Sequence, residues 1–252
     1  MQIQPVAFHV FGLPVYWYGI MISLGMLAGL LVALRRTKQY GISEERLINF
    51  LLFAVPAAIV GARVIFVVSN WGLYQGSGLS AFNVRGGGLS IHGAVLGAVI
   101  TGIIYTRMTG INFWRLADLC APALILGQAI GRWGNFFNQE AYGIETTVPW
   151  AMYIDGALRH PTFLYEFIWN LLVFAFLMHA SKKEKVDGAI FLRYLIWYSA
   201  GRYWIEGVRD DALIWGSFRA AQLVSLVLIH GGLIVLWFRR RQEKKAAREG
   251  VA

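Results

Sequence analysis

Cys120 is the only cysteine in the sequence, and it stands in an apolar run. A single thiol excludes a disulfide framework and a cysteine-rich metal site. Its ordinary role is that of a small buried hydrophobe. No Cys/His/Asp grouping has zinc spacing. No glycine-rich phosphate loop ending in Gly-Lys-Ser/Thr occurs. Ser90 and His92 are two residues apart, so on a helix they face different sides and form no nucleophile pair. Neither a metal nor a cofactor is expected. Acidic residues are scarce: 14 Asp and Glu stand against 23 Lys and Arg, a net charge of +9. The start of the chain has no basic cluster and no small-residue cleavage site, so no signal peptide is expected. There is no internal repeat, and the only biased segment is a basic tail.

What fills the chain is apolar. Hydrophobic residues make up 57% of it and mean hydropathy is +0.53, well beyond a soluble domain of this length. Seven runs are long enough to cross a membrane as helices: 15–34, 47–68, 89–106, 116–134, 162–180, 188–205 and 220–238. The expected fold is an all-α polytopic membrane protein, one integral membrane domain over 1–252. A small polar head segment is expected at about 135–161, with short strands, and a basic tail at 239–252. Sixteen of the 23 basic residues fall on one side of this arrangement. Three (Arg85, Arg159, Arg209) fall on the other, and four (Arg63, Arg132, Arg202, Arg219) lie within spans. The positive-inside rule then puts the N-terminus outside and the C-terminus in the cytoplasm. The net charge encodes topology and contact with anionic lipid, so nucleic acid is not an expected partner.

Residues 127–143, GQAIGRWGNFFNQEAYG, carry the densest signal. Gly127, Gly131 and Gly134 share a helix face that admits a close neighbour. Arg132 and Asn135 are three apart and project to one side. In the sixth span Tyr198, Arg202, Glu206 and Arg209 form a polar stripe. At about 1.5 Å per residue, His92 lies roughly 5 Å from the outer end of its span. Arg63 is roughly 24 Å and Arg202 roughly 21 Å from the inner end of theirs, and Arg132 is about as high as Arg63. All fall in the outer half of a core about 30 Å thick, which suggests one polar cavity open outward. Arginine forks at headgroup depth suit a phosphate. His92, beside them, is a candidate general base. The competing readings are a snorkelling arginine at 132 and a structural Arg202–Glu206 pair.

Gly131 through Gly143 matches the signature G-R-x-G-N-F-x-N-x-E-x-x-G, and so resembles the bacterial prolipoprotein diacylglyceryl transferases. Trp17-Tyr18-Gly19, Gly87 through Gly93, His160 through Glu166 and Tyr198 through Arg209 resemble the same family. Phe163 stands where that family commonly has a polar residue, and Cys120 where it commonly has Ala. The resemblance implies transfer of the sn-1,2-diacylglyceryl group of phosphatidylglycerol to the lipobox cysteine of prolipoproteins. The products would be a thioether and glycerol-1-phosphate. The implied partners are phosphatidylglycerol, prolipoprotein signal peptides and membrane lipids, and the implied location is the bacterial cytoplasmic membrane.

On that reading Arg132, Arg202 and His92 are catalytic: the arginines hold the donor phosphate and His92 takes the thiol proton. Tyr18, Asn135, Asn138, Glu140 and Gly143 join Arg132 around the donor headgroup. Tyr198, Glu206 and Arg209 complete the site from the sixth span. Tyr198 and a water relay are alternatives to His92 as the base. A transporter of an anionic lipid is the second class of function. It accords less well with charges far from the midplane and with the lack of repeats.

Overall fold

The computed structural model describes residues 4–74, 81–82, 87–154, 156–216 and 218–250. Arg85 and Gly86 of the loop before the third span lie outside them. Among the described residues seven α-helices dominate: α1 (Trp17–Arg36), α2 (Glu44–Ser69), α3 (Ile91–Thr109), α4 (Phe113–Asn138), α5 (Thr162–Ala180), α6 (Ala189–Glu206) and α7 (Ala220–Arg248). Three antiparallel hairpins accompany them: β1–β2 (Val6–Val10, Leu13–Tyr16), β3–β4 (Met152–Ile154, Ala157–Arg159) and β5–β6 (Ile214–Trp215, Phe218–Arg219).

All helices except α6 are long and apolar enough to cross a membrane. α6 places Arg193, Arg202 and Glu206 within 18 residues, which lowers its apolar content. Large side chains such as Leu52, Phe53, Leu172 and Val227 are exposed, as on a bundle whose solvent is lipid. The chain is thus a polytopic all-α membrane protein.

Two helices run past the bounds the hydropathy suggests. α4 continues through Gly134 to Asn138, so the first residues of the expected head are helical. α7 continues to Arg248, through most of the expected tail, because Lys, Gln, Glu, Arg and Ala are all good helix formers. Arg239 donates to the Asp187 carbonyl at 3.0 Å and Arg240 reaches Glu184 at 3.4 Å, so the basic segment is tied to the α5–α6 turn.

The chain forms two compact units, 1–35 with 117–252, and 36–116. In the second unit α2 packs on α3 through glycine. A Cβ added at Gly93 would meet the Gly61 carbonyl and would sit 2.9 Å from the Ala62 Cα. Backbone cannot yield as a flexible side chain does. Gly93→Ala should therefore cost about 1–3 kcal/mol by overpacking, read as a lower unfolding midpoint in detergent. An unchanged midpoint would contradict this packing.

In the first unit the core lies between α4, α5 and α6. Ala121 and Ile125, Val173 and Leu177, and Ile190 and Tyr194 are buried together. Asp118 fixes the start of α6: its carboxylate accepts from the Gly188 and Phe191 backbone N–H groups, both at 2.7 Å. A carboxylate there also meets the positive end of the helix dipole. α1 runs along the glycine face of α4. A Cβ at Gly25 would lie 2.9 Å from the Gly127 carbonyl oxygen, and one at Gly131 would lie 3.5 Å from Ile22. One at Gly134 would lie 2.7 Å from the Tyr18 ring. Trp17 stacks on Phe137 at 4.7 Å, extending the contact to the end of α4.

Candidate active site

The core sets the site. Arg132, Glu166 and Arg202 lie seven or eight residues from Ile125, Val173 and Tyr194 on the same three helices. That is close to two turns, so each charged residue repeats the inward direction of a core residue. The three meet as an ion cluster at one end of the apolar core.

Glu166 is its hub. It is 4% exposed and sits on the second turn of α5. One carboxylate oxygen pairs with Arg132 at 2.6 Å. The other pairs with Arg202 at 3.1 Å and with Arg209 at 3.3 Å. Glu206, 2% exposed, pairs with Arg202 at 2.7 Å across one turn of α6. That contact is close, but it is not aligned as a hydrogen bond, and among the described residues the same oxygen has no hydrogen-bond partner. Arg209 lays its fork on Asp211, at 2.8 and 2.6 Å. Burial acts to raise the Asp211 carboxyl, but the hydrogen bond and charge of Arg209 outweigh it and hold the group below the usual carboxylate range. Three arginines thus face three carboxylates, and the cluster is close to neutral.

A polar chain leads outward from Arg132. Its guanidinium donates to Asn135 at 3.3 Å, Asn135 donates to Glu140 at 2.9 Å, and Asn138 donates to the same oxygen at 3.5 Å. Gly134, by lacking a Cβ, admits the Tyr18 ring beside this chain. Gly143 lies in the head: a Cβ there would stand 2.6 Å from both the His160 Cβ and the Val208 carbonyl oxygen. It pairs with Arg209 as a β-bridge, so the head is stitched to the end of α6. Arg159 adds an ion pair to Asp210 at 2.9 Å.

Not every candidate joins the cluster. The Tyr198 ring stacks on Tyr194 at 5.9 Å and packs against the apolar core. Tyr194 accepts from Gln128 at 2.9 Å, and this layer lies on the core side of the ion cluster. His92 is in the second unit, exposed on the first turn of α3. Arg63 is in that unit too. It donates to the carbonyls of Ala81 at 2.7 Å and of Gly87 and Gly88 at 2.8 and 3.0 Å, which makes it a loop anchor. Arg132 and Arg202 thus meet in the first unit, and Arg63 and His92 belong to the second.

Glu166, Asp211 and Arg219 are absent from the sequence-based set of site residues. Glu166 had a signal, as the only acidic residue in an apolar run of 19. An ionisable group inside a membrane helix is a functional candidate by default. Arg219 donates to the carbonyls of Glu206 and, at 3.0 Å, Arg209. Nothing in its spacing pointed to those partners.

Comparison with known proteins identifies the family. Residues 5–238 match the family model described as prolipoprotein diacylglyceryl transferase. The phosphatidylglycerol–prolipoprotein diacylglyceryl transferase of Clostridioides difficile (strain 630) is 43% identical over 95% of this chain and 96% of its own length. The proteins of the same name from Bacillus cereus (strain Q1) and Bacillus cytotoxicus are 44% and 45% identical over 95% of this chain and 93% of theirs. The chain belongs to the prolipoprotein diacylglyceryl transferase family.

Proposed function

We propose that this protein transfers the diacylglyceryl group of phosphatidylglycerol to prolipoproteins. It is a transferase of lipoprotein maturation, as its relatives' names state for them. One observation supports the site. Arg132 from α4 and Arg202 from α6 both reach a single carboxylate, Glu166. Two forks spaced for one carboxylate are spaced for one phosphate.

The reaction we assign is a single displacement. The sulfur of the lipobox cysteine forms a bond to the glyceryl carbon of the donor. The carbon–oxygen bond to the phosphate breaks, and its electron pair leaves on glycerol-1-phosphate. His92 accepts the thiol proton. Arg132 and Arg202 stabilise the charge that grows on the departing phosphate, while Asn135, Asn138, Tyr18, Glu140 and Gly143 frame the headgroup. Glu206 and Arg209 hold Arg202 and the head in place. Tyr198, seated in the aromatic layer, supports the floor of the site. We assign seven spans working as one membrane domain in the bacterial cytoplasmic membrane. The N-terminus is outside, and the signal peptide of the acceptor docks from the outer leaflet.

Purified protein, phosphatidylglycerol and a lipobox peptide should give a peptide heavier by one diacylglyceryl group. No mass gain, with lipid movement across liposomes instead, would favour a transporter. Orientation is tested by cysteine labelling in a Cys120→Ala background. Thr147→Cys, exposed in the head, should react with an impermeant reagent in intact protoplasts, and Gln242→Cys should not. The reverse pattern would invert the topology.

A further inference from the structure

The head is a small sheet, and the cleft beside one of its strands is also lined by Asn135 and Glu140 of the site. β4 is paired on both sides. On one it pairs with β3, in the register Met152 to Arg159, Tyr153 to Leu158 and Ile154 to Ala157. On the other it pairs with residues 144–146: Thr146 donates to the Leu158 carbonyl at 2.9 Å and His160 to the Ile144 carbonyl at 3.1 Å. Residues 142–144 in turn pair with 208–210, where Ile144 donates to the Val208 carbonyl at 2.9 Å. Among the described residues nothing pairs with the far side of β3, so it is the outer strand and that edge is open. The Leu158 carbonyl turns away from β3, so Tyr153, opposite it, turns its own N–H and C=O outward, off the sheet.

A cleft lies against β3. Met152, Tyr153 and Ile154 all line it, with Phe136, Tyr142 and Phe163. Side chains of a strand alternate between faces. A cleft touched by three consecutive residues therefore borders the strand's backbone as well as one of its faces. Asn135 and Glu140 also line this cleft, and Asn135 is bonded to Arg132. The open edge, the apolar cleft and the arginine cluster are thus continuous within one unit.

We propose that the acceptor polypeptide binds here as an added strand. Its extended backbone pairs with Tyr153 along the outer edge of β3, and one apolar side chain fills the cleft. The reacting cysteine then arrives beside Asn135 and Glu140. Backbone pairing gives affinity without reading sequence, and the cleft reads one side chain. Such a mode suits an enzyme whose many acceptors share only a short segment. This inference rests on the transferase reading above.

Two experiments test it. The first uses wild-type protein and a set of acceptor peptides, each N-methylated at one backbone amide. Added strands hydrogen-bond through alternate residues. Tyr153 is the one residue of β3 whose groups turn outward, so methylation should raise the peptide KM about tenfold at the one amide that pairs with its C=O and little at the amides on either side, in keeping with the loss of one backbone hydrogen bond. The second is Tyr153→Pro, which removes the outward N–H and spares the β4 ladder, because proline is tolerated on an edge whose N–H faces out. It should raise the peptide KM by a similar factor and leave the KM for phosphatidylglycerol unchanged, while Tyr153→Ala should do neither. Methylation effects at neighbouring amides alike or at none, or a shift in donor KM alone, would overturn the proposal. The second result would make the cleft an acyl-chain site. If Tyr153→Pro failed to accumulate, the peptide set on wild-type protein would still decide. Transfer to unmodified peptide tests the underlying reading separately: its absence defeats the transferase, and its presence without a single-amide effect defeats only the added strand.

Discussion

Glu166→Ala should abolish most activity, by about 10²-fold or more, and should also destabilise the protein. The buried carboxylate takes three arginines, at 2.6, 3.1 and 3.3 Å. Without it, three like charges face one another across α4, α6 and the turn after α6, with Glu206 and Asp211 left to balance them. Removing one partner of a buried ion pair costs about 3–5 kcal/mol. Activity falls because Arg132 and Arg202 lose the group that sets their separation. Small displacements of positioning groups cost about 10²-fold. Glu166→Gln separates the two effects. The amide keeps the shape and one acceptor oxygen, but it carries no charge to balance the three guanidinium groups. Its unfolding midpoint should recover in part, while kcat stays low. Measured kcat, donor KM and unfolding midpoints for both variants decide the matter. Activity within threefold of wild type for either would remove Glu166 from the site.

Arg132→Lys and Arg202→Lys should each lower turnover by about 10²-fold, the usual effect of losing one donor to a developing charge. Lysine keeps the charge and loses the planar fork. Because the interaction strengthens as the phosphate leaves, kcat should fall more than donor affinity does. His92→Gln should behave differently. It should bind phosphatidylglycerol nearly as well as wild type, and its residual rate should rise with pH as hydroxide deprotonates the acceptor thiol. A free thiol has a pKa near 8.5, so rates between about pH 6 and pH 10 bracket the change. If His92→Gln abolished donor binding and the arginine variants did not, the two roles would have to be exchanged. If all three variants failed to accumulate, the residues would form a structural network.

Local spacing made part of this site legible. Arg132 and Asn135, three apart, are bonded at 3.3 Å. Arg202 and Glu206, four apart, pair at 2.7 Å. Helical periodicity carries such contacts directly. It misled at Tyr198, which shares the stripe of Arg202 but turns into the aromatic layer with Tyr194. A stripe fixes an angular sector, and the neighbouring helices decide what lies in it. Glu166 was invisible as the hub because its partners come from 34 residues before and 36 and 43 after it. Their convergence is tertiary. The hairpins were hard to read for a related reason. β5 and β6 have two residues each and β3 and β4 three, too few for a period of two to register. The helices were easier, since a run of about 20 apolar residues is a long signal. Their ends were blurred where polar residues continue a helix, as at Asn135–Asn138 and Arg239–Arg248.

The most direct measurement is an experimental structure of the purified protein with phosphatidylglycerol bound. The account predicts phosphate oxygens within about 2.7–3.2 Å of both guanidinium groups, Arg132 and Arg202, with the headgroup glycerol toward Asn135. A phosphate bound elsewhere, with both forks still closed on Glu166 and Glu206, would contradict it.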